Sequence, residues 1–119
     1  MTLEPIVEEI SDSMMGKAKI VSKLSPQKFK VGAIIVKRGT VVAKGYNNYK
    51  THPVWGNPRK GYHYLHAECD AIYYAKKKGI DIQGSIVYVF RKGHRNSKPC
   101  PDCYQKLMNE GVSVVRYSA

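Results

Sequence analysis

The sequence predicts a three-layer α/β sandwich with a mixed sheet, in which the first hairpin is antiparallel and the later strands are parallel. Two observations lead to this class. Short apolar, β-branched runs alternate with helical patterns from residue 31 onward. The second half of the chain follows the order strand, helix, strand, helix, strand, which favours parallel strands joined by right-handed crossovers.

The first element is expected to be a helix from about residue 2 to residue 24. Its apolar residues recur at three- and four-residue steps and form one face: Leu3, Val7, Ile10, Met14, Ala18 and Val21. Thr2 is a suitable N-cap and Pro5 fits the first turn. Ser25 and Pro26 then end the helix.

A hairpin and a long loop follow this helix. The hairpin consists of an apolar strand at residues 31–36, a turn at Arg38-Gly39 and a second strand at residues 40–46. The loop, residues 47–65, is rich in aromatic side chains, which argues against disorder. A loop of this length in a compact domain usually has a function.

The rest of the chain completes a single expected domain over residues 1–119. A second helix is expected at residues 66–78, ended by Gly79. After it come a buried strand, a basic loop, a third helix and a last strand, at residues 85–90, 91–98, 99–111 and 112–117. The expected order of elements is therefore α-β-β-α-β-α-β.

Charge and hydropathy restrict the function classes. The chain has 20 basic and 9 acidic residues, a net charge of +11, and four of the acids lie within the first twelve residues. Such a surface attracts nucleotides or polynucleotide phosphates, although charge alone also fits a solubilising surface without a partner. No apolar run approaches a membrane span of about 20 residues, and the N-terminus is acidic, so we expect a cytoplasmic protein without membrane contact.

Two segments carry the chemistry, H-A-E at residues 66–68 and P-C-P-D-C at residues 99–103. Imidazole and thiolate groups are good zinc donors, and two cysteines separated by two residues at a helix start can reach one ion. The odd number of cysteines in a cytosolic protein favours metal or redox chemistry over a disulfide framework. The third cysteine, Cys69, is expected to be a small buried core residue and not a ligand.

Glu68 suggests that a zinc site here would be catalytic. Three protein ligands leave a tetrahedral zinc one open position for water, whose pKa falls to about 7. Glu68, two residues after His66, can take the water's proton and pass it to a ring nitrogen and to leaving ammonia. Each short motif alone occurs by chance, but the two in this order match the signature of zinc nucleobase deaminases.

With these motifs, residues 31 to 117 resemble the cytidine deaminase superfamily, and most closely its short deoxycytidylate-deaminase-like branch from phages and bacteria. The matching segments are VGAIIVKRGTVVAKGYN, HAECDAI, KPCPDC and GVSVVRYS. The resemblance implies the cytidine deaminase type of sandwich. It also implies Zn²⁺ held by His66, Cys100 and Cys103, with Glu68 as the proton shuttle.

The resemblance further implies how a small-molecule nucleotide binds. Asn47 corresponds to the family asparagine that contacts the sugar or base, and the backbone of Ala67 to the position that meets the polar edge of the base. His52 and Lys98 are added as candidate substrate contacts because their loops should lie near the helix starts. A homo-oligomer is expected as well.

The sequence is compatible with three functions. The leading one is hydrolytic deamination of cytosine in deoxycytidylate, which gives deoxyuridylate and ammonia. The first alternative is the same chemistry on cytosine or adenine in single-stranded DNA or RNA, favoured by the charge and the aromatic loop. The other is a non-catalytic, zinc-stabilised binding module, against which the presence of Glu68 argues.

Overall fold

The computed structural model describes residues 6–9, 12–26, 29–48, 66–91 and 101–118. Its elements are β1 (Ile6–Glu9), α1 (Ser13–Ser22), β2 (Val31–Lys37), β3 (Thr40–Tyr46), α2 (Ala67–Lys77), β4 (Ile86–Arg91), α3 (Pro101–Asn109) and β5 (Val114–Tyr117). Within these described ranges, no helix has the length and apolar character needed to cross a membrane.

The five strands form one mixed sheet in the order β1-β5-β4-β2-β3. Strand β2 is antiparallel to both of its neighbours, β3 and β4. Strand β5 is parallel to β4, and β1 is parallel to β5. The predicted antiparallel hairpin and the predicted parallel later strands are therefore confirmed.

Helices cover both faces of this sheet, as the predicted three-layer class requires. Successive side chains of β2 point to opposite faces, so Ala33 and Ile35 pack into the core beneath α2 and α3. Ile34 and Val36 pack into a second core beneath α1. The sheet is thus the middle layer between two apolar cores.

Two glycines allow the helices to lie directly against the strand backbones. A Cβ atom on Gly45 of β3 would lie 2.6 Å from the carbonyl oxygen of Ala67, and on Gly32 of β2 it would lie 2.8 Å from Cα of Ser22. Contacts this short do not occur with a real side chain, so any larger residue would displace a helix. The start of α2 is therefore fixed against the end of β3.

The predicted N-terminal helix is wrong in its first half. Residues Ile6–Glu9 form β1 beside β5, and α1 begins only at Ser13. The Asp12 carboxylate caps α1 by accepting a hydrogen bond from the Met15 N–H at 2.9 Å. Asp12 therefore starts the helix in the middle of an apolar spacing that fits a longer helix. The residues before Asp12, Ile6–Glu9, pair with β5 in the sheet instead.

The other boundaries agree with the sequence to within a few residues. Gly79 ends α2 in the left-handed region (φ 70°), as predicted, and the Ile80 N–H donates to the Ala75 carbonyl at 2.8 Å. The last strand starts two residues later than predicted, because the Val112 N–H still donates to the Leu107 carbonyl of α3 at 3.2 Å. Most of the aromatic and basic loops, residues 49–65 and 92–100, lies outside the described residues.

Candidate active site

The topology brings the starts of α2 and α3 to one edge of the sheet. Helix α2 is the next helix after β3, and α3 the next after β4, two strands that both run antiparallel to β2. The two strands therefore end at the edge where β2 begins. His66, the N-cap of α2, and Cys103, the third residue of α3, meet at this edge.

The central contact of the site joins His66 Nδ1 to Cys103 Sγ at 3.0 Å. Cys103 is buried and His66 is half-buried. On a tetrahedral zinc, a nitrogen and a sulfur at their usual bond lengths lie about 3.6 Å apart. The pair would need to open by only about half an ångström, so both donors fit a zinc ion, with Nδ1 as the histidine's donor atom.

Glu68 follows His66 by two residues and lies in the first turn of α2. Its side chain is only 5% exposed, and the preceding Ala67 is 1% exposed. The positive end of the helix favours a carboxylate at such a position. The site therefore combines a nitrogen donor, a sulfur donor and a buried carboxylate, and these are the groups that metal-assisted proton transfer requires.

Asn47 extends β3 into this edge of the sheet, and its amide is engaged with the backbone. Its Oδ1 accepts a hydrogen bond from the Val31 N–H at 2.9 Å, and its Nδ2 donates to the Phe29 carbonyl at 2.6 Å. Its carbonyl accepts from Ser25 Oγ at 2.7 Å. Asn47 therefore ties β3 to the chain that enters β2, and its role as a substrate contact stays a prediction.

Asp70 is a site residue that the sequence reasoning missed. Its Oδ2 accepts a hydrogen bond from the Tyr46 N–H at 3.1 Å, and Asp70 is only 7% exposed. This contact holds the first turn of α2 against the end of β3. The available signal was a second acidic residue two positions after Glu68, within an otherwise apolar helix segment.

Cys69 is buried, as expected, but it also contacts the site. Its Sγ lies 3.6 Å from Cys103 Sγ. Helical spacing allows Cys69 to lie near His66, but its contact with Cys103 depends on how α2 and α3 pack together.

Three of the predicted site residues, Cys100, His52 and Lys98, lie outside the described residues. Their roles as zinc ligand and substrate contacts stay predictions. Of the predicted ligand set, the described part of the chain brings together His66 and Cys103.

Comparisons with known proteins give a family match over most of the chain. Residues 8–119 match the family model of the cytidine and deoxycytidylate deaminase zinc-binding region. An uncharacterized deaminase of Aliivibrio fischeri is 34% identical over 71% of this chain and 55% of its own length. Deoxycytidylate deaminase of enterobacteria phage T2 is 30% identical over 65% of this chain and 35% of its own length. The chain thus spans about half or less of these two relatives.

The solved structures give the same result. The dCMP deaminase of cyanophage S-TIM5, crystallised with dCMP and dUMP, is 29% identical, with a TM-score of 0.67 over 90% of this chain and 80% of its own. Its apo form is 31% identical, with a TM-score of 0.66 over 88% of this chain and 80% of its own. The resemblance and the fold type predicted from the sequence are confirmed. The chain belongs to the family defined by the cytidine and deoxycytidylate deaminase zinc-binding region.

Proposed function

We propose that the protein is a zinc-dependent deaminase that converts deoxycytidylate to deoxyuridylate and ammonia. The observation that carries the proposal is the 3.0 Å contact between His66 Nδ1 and Cys103 Sγ, together with the burial of Glu68 in the first turn of α2. Cys100 completes the ligand set by its place in the motif. A solved relative that binds dCMP and dUMP supports this choice of substrate.

In this proposal Glu68 moves the protons of the reaction. Zinc held by His66, Cys100 and Cys103 supplies the Lewis acidity that makes hydroxide available from water at neutral pH. Glu68 accepts the proton of the water that adds to C4 of cytosine, and it delivers that proton to the ring nitrogen. It then takes the proton of the new C4 hydroxyl and passes it to the amine, so that the C4–N bond breaks, ammonia leaves and the C4 carbonyl forms.

Burial around Glu68 supports this role. Glu68 is 5% exposed and the preceding Ala67 is 1% exposed, so little bulk water reaches this turn of the helix. A zinc-stabilised binding module without catalysis has no need for a carboxylate at this position, because burying one is costly. The observed burial therefore favours the enzyme over the module.

The same chemistry on a single-stranded polynucleotide is the second candidate, and one contact favours it. The Arg91 guanidinium lies 5.8 Å from the ring centroid of Phe29, which is 50% exposed. The Phe29 carbonyl accepts a hydrogen bond from Asn47, so this pair lies at the same edge of the sheet as the site. Aromatic stacking combined with phosphate contacts is how single strands are usually held.

The test is ammonia release by purified, zinc-loaded protein. The substrates are deoxycytidylate, cytidylate, deoxycytidine, adenosine and short single-stranded DNA and RNA. We expect deoxycytidylate to react fastest. Turnover of oligonucleotides alone would replace this proposal with the second candidate, and zinc-loaded protein inactive on every substrate would favour the binding module.

Glu68→Gln is the matched variant for the mechanism, because it keeps the size of the side chain and removes the base. We expect it to lose about 10²- to 10⁴-fold in turnover while it retains zinc. The control is Glu110→Gln, which alters a carboxylate paired with Lys76 at 2.6 Å, near the C-terminal ends of α2 and α3. Full activity of Glu68→Gln would contradict the proposed proton shuttle.

A further inference from the structure

We propose that Cys69 is a positioning residue for the zinc centre, whose thiol donates a hydrogen bond to the Cys103 thiolate. The inference rests on one part of the proposed function, namely zinc binding by Cys103. It assigns a task to a cysteine that is not part of the H-A-E or C-P-D-C motif.

The geometry of the two sulfurs carries the proposal. Cys69 Sγ and Cys103 Sγ are 3.6 Å apart, within hydrogen-bond reach for sulfur, and each residue is 1% exposed. Without a metal, either thiol can be the donor. A zinc-bound Cys103 has lost its proton and can only accept, so the proton between the two sulfurs must belong to Cys69.

The contact places Cys103 between two partners. His66 Nδ1 lies 3.0 Å from its Sγ, and Cys69 Sγ lies 3.6 Å away. Groups that hydrogen-bond to a metal ligand fix its rotamer and offset part of its charge, and their loss typically weakens metal binding or activity 10- to 100-fold. Burial strengthens such a bond, because no water competes for the thiolate.

Ligation of zinc by Cys69 itself is the main competing arrangement. Two sulfurs bound to one tetrahedral zinc lie about 3.8 Å apart, close to the distance seen here. With His66, Cys100 and Cys103 as the other ligands, however, a bound Cys69 would close the fourth position. The hydrogen-bonded arrangement keeps that position open for water, which the proposed deamination requires.

The experiment compares zinc affinity in full-length Cys69→Ser, Cys69→Ala and Cys69→Val by competition with a chromophoric chelator. Serine keeps a donor, whereas alanine and valine remove it, and valine also restores volume. We expect zinc to bind about tenfold more weakly to the alanine and valine variants. The serine variant should stay within about threefold of the wild-type protein, because its hydroxyl replaces the thiol donor.

Cobalt substitution separates the hydrogen-bonded arrangement from ligation. The intensity of the thiolate-to-cobalt charge-transfer band reports the number of bound sulfurs. We expect the same intensity in Cys69→Ser as in the wild-type protein, with a small shift of the band energy. Loss of one thiolate's share of the intensity would overturn the proposal in favour of ligation.

Ile72→Val is the control for packing, because Ile72 is fully buried one helical turn beyond Cys69 and belongs to the apolar core. It should leave zinc affinity unchanged. Equal affinity in all three Cys69 variants and the wild-type protein would also overturn the proposal. Deamination is measured in parallel. A wild-type protein that binds zinc but releases no ammonia would contradict the proposed function. The zinc affinities of the Cys69 variants would still decide this inference.

Discussion

The Asp70 carboxylate accepts a hydrogen bond from the Tyr46 backbone N–H at 3.1 Å, joining the first turn of α2 to the last residue of β3. Glu68 lies on the same turn of the helix, and Asn47 follows Tyr46 in the chain. The Asp70 carboxylate, which has no part in the proposed reaction, therefore fixes the position of Glu68 relative to Asn47.

Two variants of Asp70 should distinguish the contribution of its hydrogen bond to stability from the contribution of its charge. Asp70→Asn retains an acceptor oxygen for the Tyr46 N–H, whereas Asp70→Ala removes the acceptor of this half-buried donor. We expect the alanine variant to lose about 1–3 kcal/mol in free energy of unfolding, and the asparagine variant less. Urea denaturation measures both, and equal stability of the two variants would show that the hydrogen bond contributes nothing.

The close approach of α2 to β3 leads to a second prediction. A Cβ atom on Gly45 would clash with the backbone of Ala67 and Ala71, so Gly45→Ala must move the first turns of α2 away from the sheet. We expect a loss of about 1–3 kcal/mol in stability. Zinc affinity should also fall in the fraction that remains folded, because His66 is the N-cap of this helix.

Two other glycines serve as controls for Gly45→Ala. Gly32→Ala would displace α1 on the opposite face of the sheet, so it should cost stability but leave zinc affinity unchanged. Gly16→Ala lies in α1 with open space around the new methyl group, and it should stabilise the protein by about 0.5–1 kcal/mol. Equal zinc affinities of Gly45→Ala and Gly32→Ala would contradict the role assigned to the close approach of α2 and β3.

The part of the fold that the sequence predicted is the part determined by local pattern. The apolar run at 31–36, the turn at Arg38-Gly39 and the C-terminal glycine of α2 all have strong short-range signals, and each was confirmed. Strand β1 has no such signal, because a four-residue strand is stabilised mainly by pairing with β5, which lies more than a hundred residues away in sequence. The apolar spacing of residues 3–21 fits one continuous helix, but the structure has this helix only from Ser13 onward.

The site likewise contains residues that the sequence pattern predicts and residues that it does not. His66 and Cys103 were found because their chemistry and spacing are distinctive, and the structure brings them within 3.0 Å. The contacts of Asp70 and Cys69 depend on how α2 packs against β3 and α3, which no local pattern encodes. Asn47 was singled out by resemblance alone, and its backbone hydrogen bonds appear only once β2 and β3 are paired.

Those hydrogen bonds predict that Asn47 is important for stability as well as for any contact with substrate. Asn47→Ala removes the acceptor of the Val31 N–H and the donor to the Phe29 carbonyl. We expect a loss of about 1–3 kcal/mol in free energy of unfolding, because the strand-end N–H loses its partner. Asn47→Asp keeps the acceptor and should lose less stability.

The same pair of variants tests the substrate contact when kinetics are measured well below the unfolding midpoint. A substrate role predicts a raised KM for deoxycytidylate in both variants, since neither retains the amide donor. A purely structural role predicts wild-type KM values in the folded fraction. Equal stability of Asn47→Ala and the wild-type protein would contradict the structural role.

Removal of zinc should lower stability without unfolding the protein. The two apolar cores on either side of the sheet are formed by side chains outside the His66–Cys103 pair, so they hold the fold when the metal is absent. A ligand that binds only the folded state stabilises it by about 2.7 kcal/mol when its free concentration is a hundred times the dissociation constant. Chelation should therefore lower the thermal midpoint, retain one cooperative transition and abolish turnover, and added zinc should reverse all three effects.

Cys103→Ser provides the matched comparison, because it exchanges one atom of a buried residue that lies 3.0 Å from His66 Nδ1. A serine hydroxyl is a much poorer zinc ligand than a thiolate, so zinc should shift the midpoint of this variant far less than that of the wild-type protein. Differential scanning fluorimetry with and without zinc measures both shifts. Equal shifts in the two proteins would place the zinc away from Cys103 and remove the basis of the proposed site.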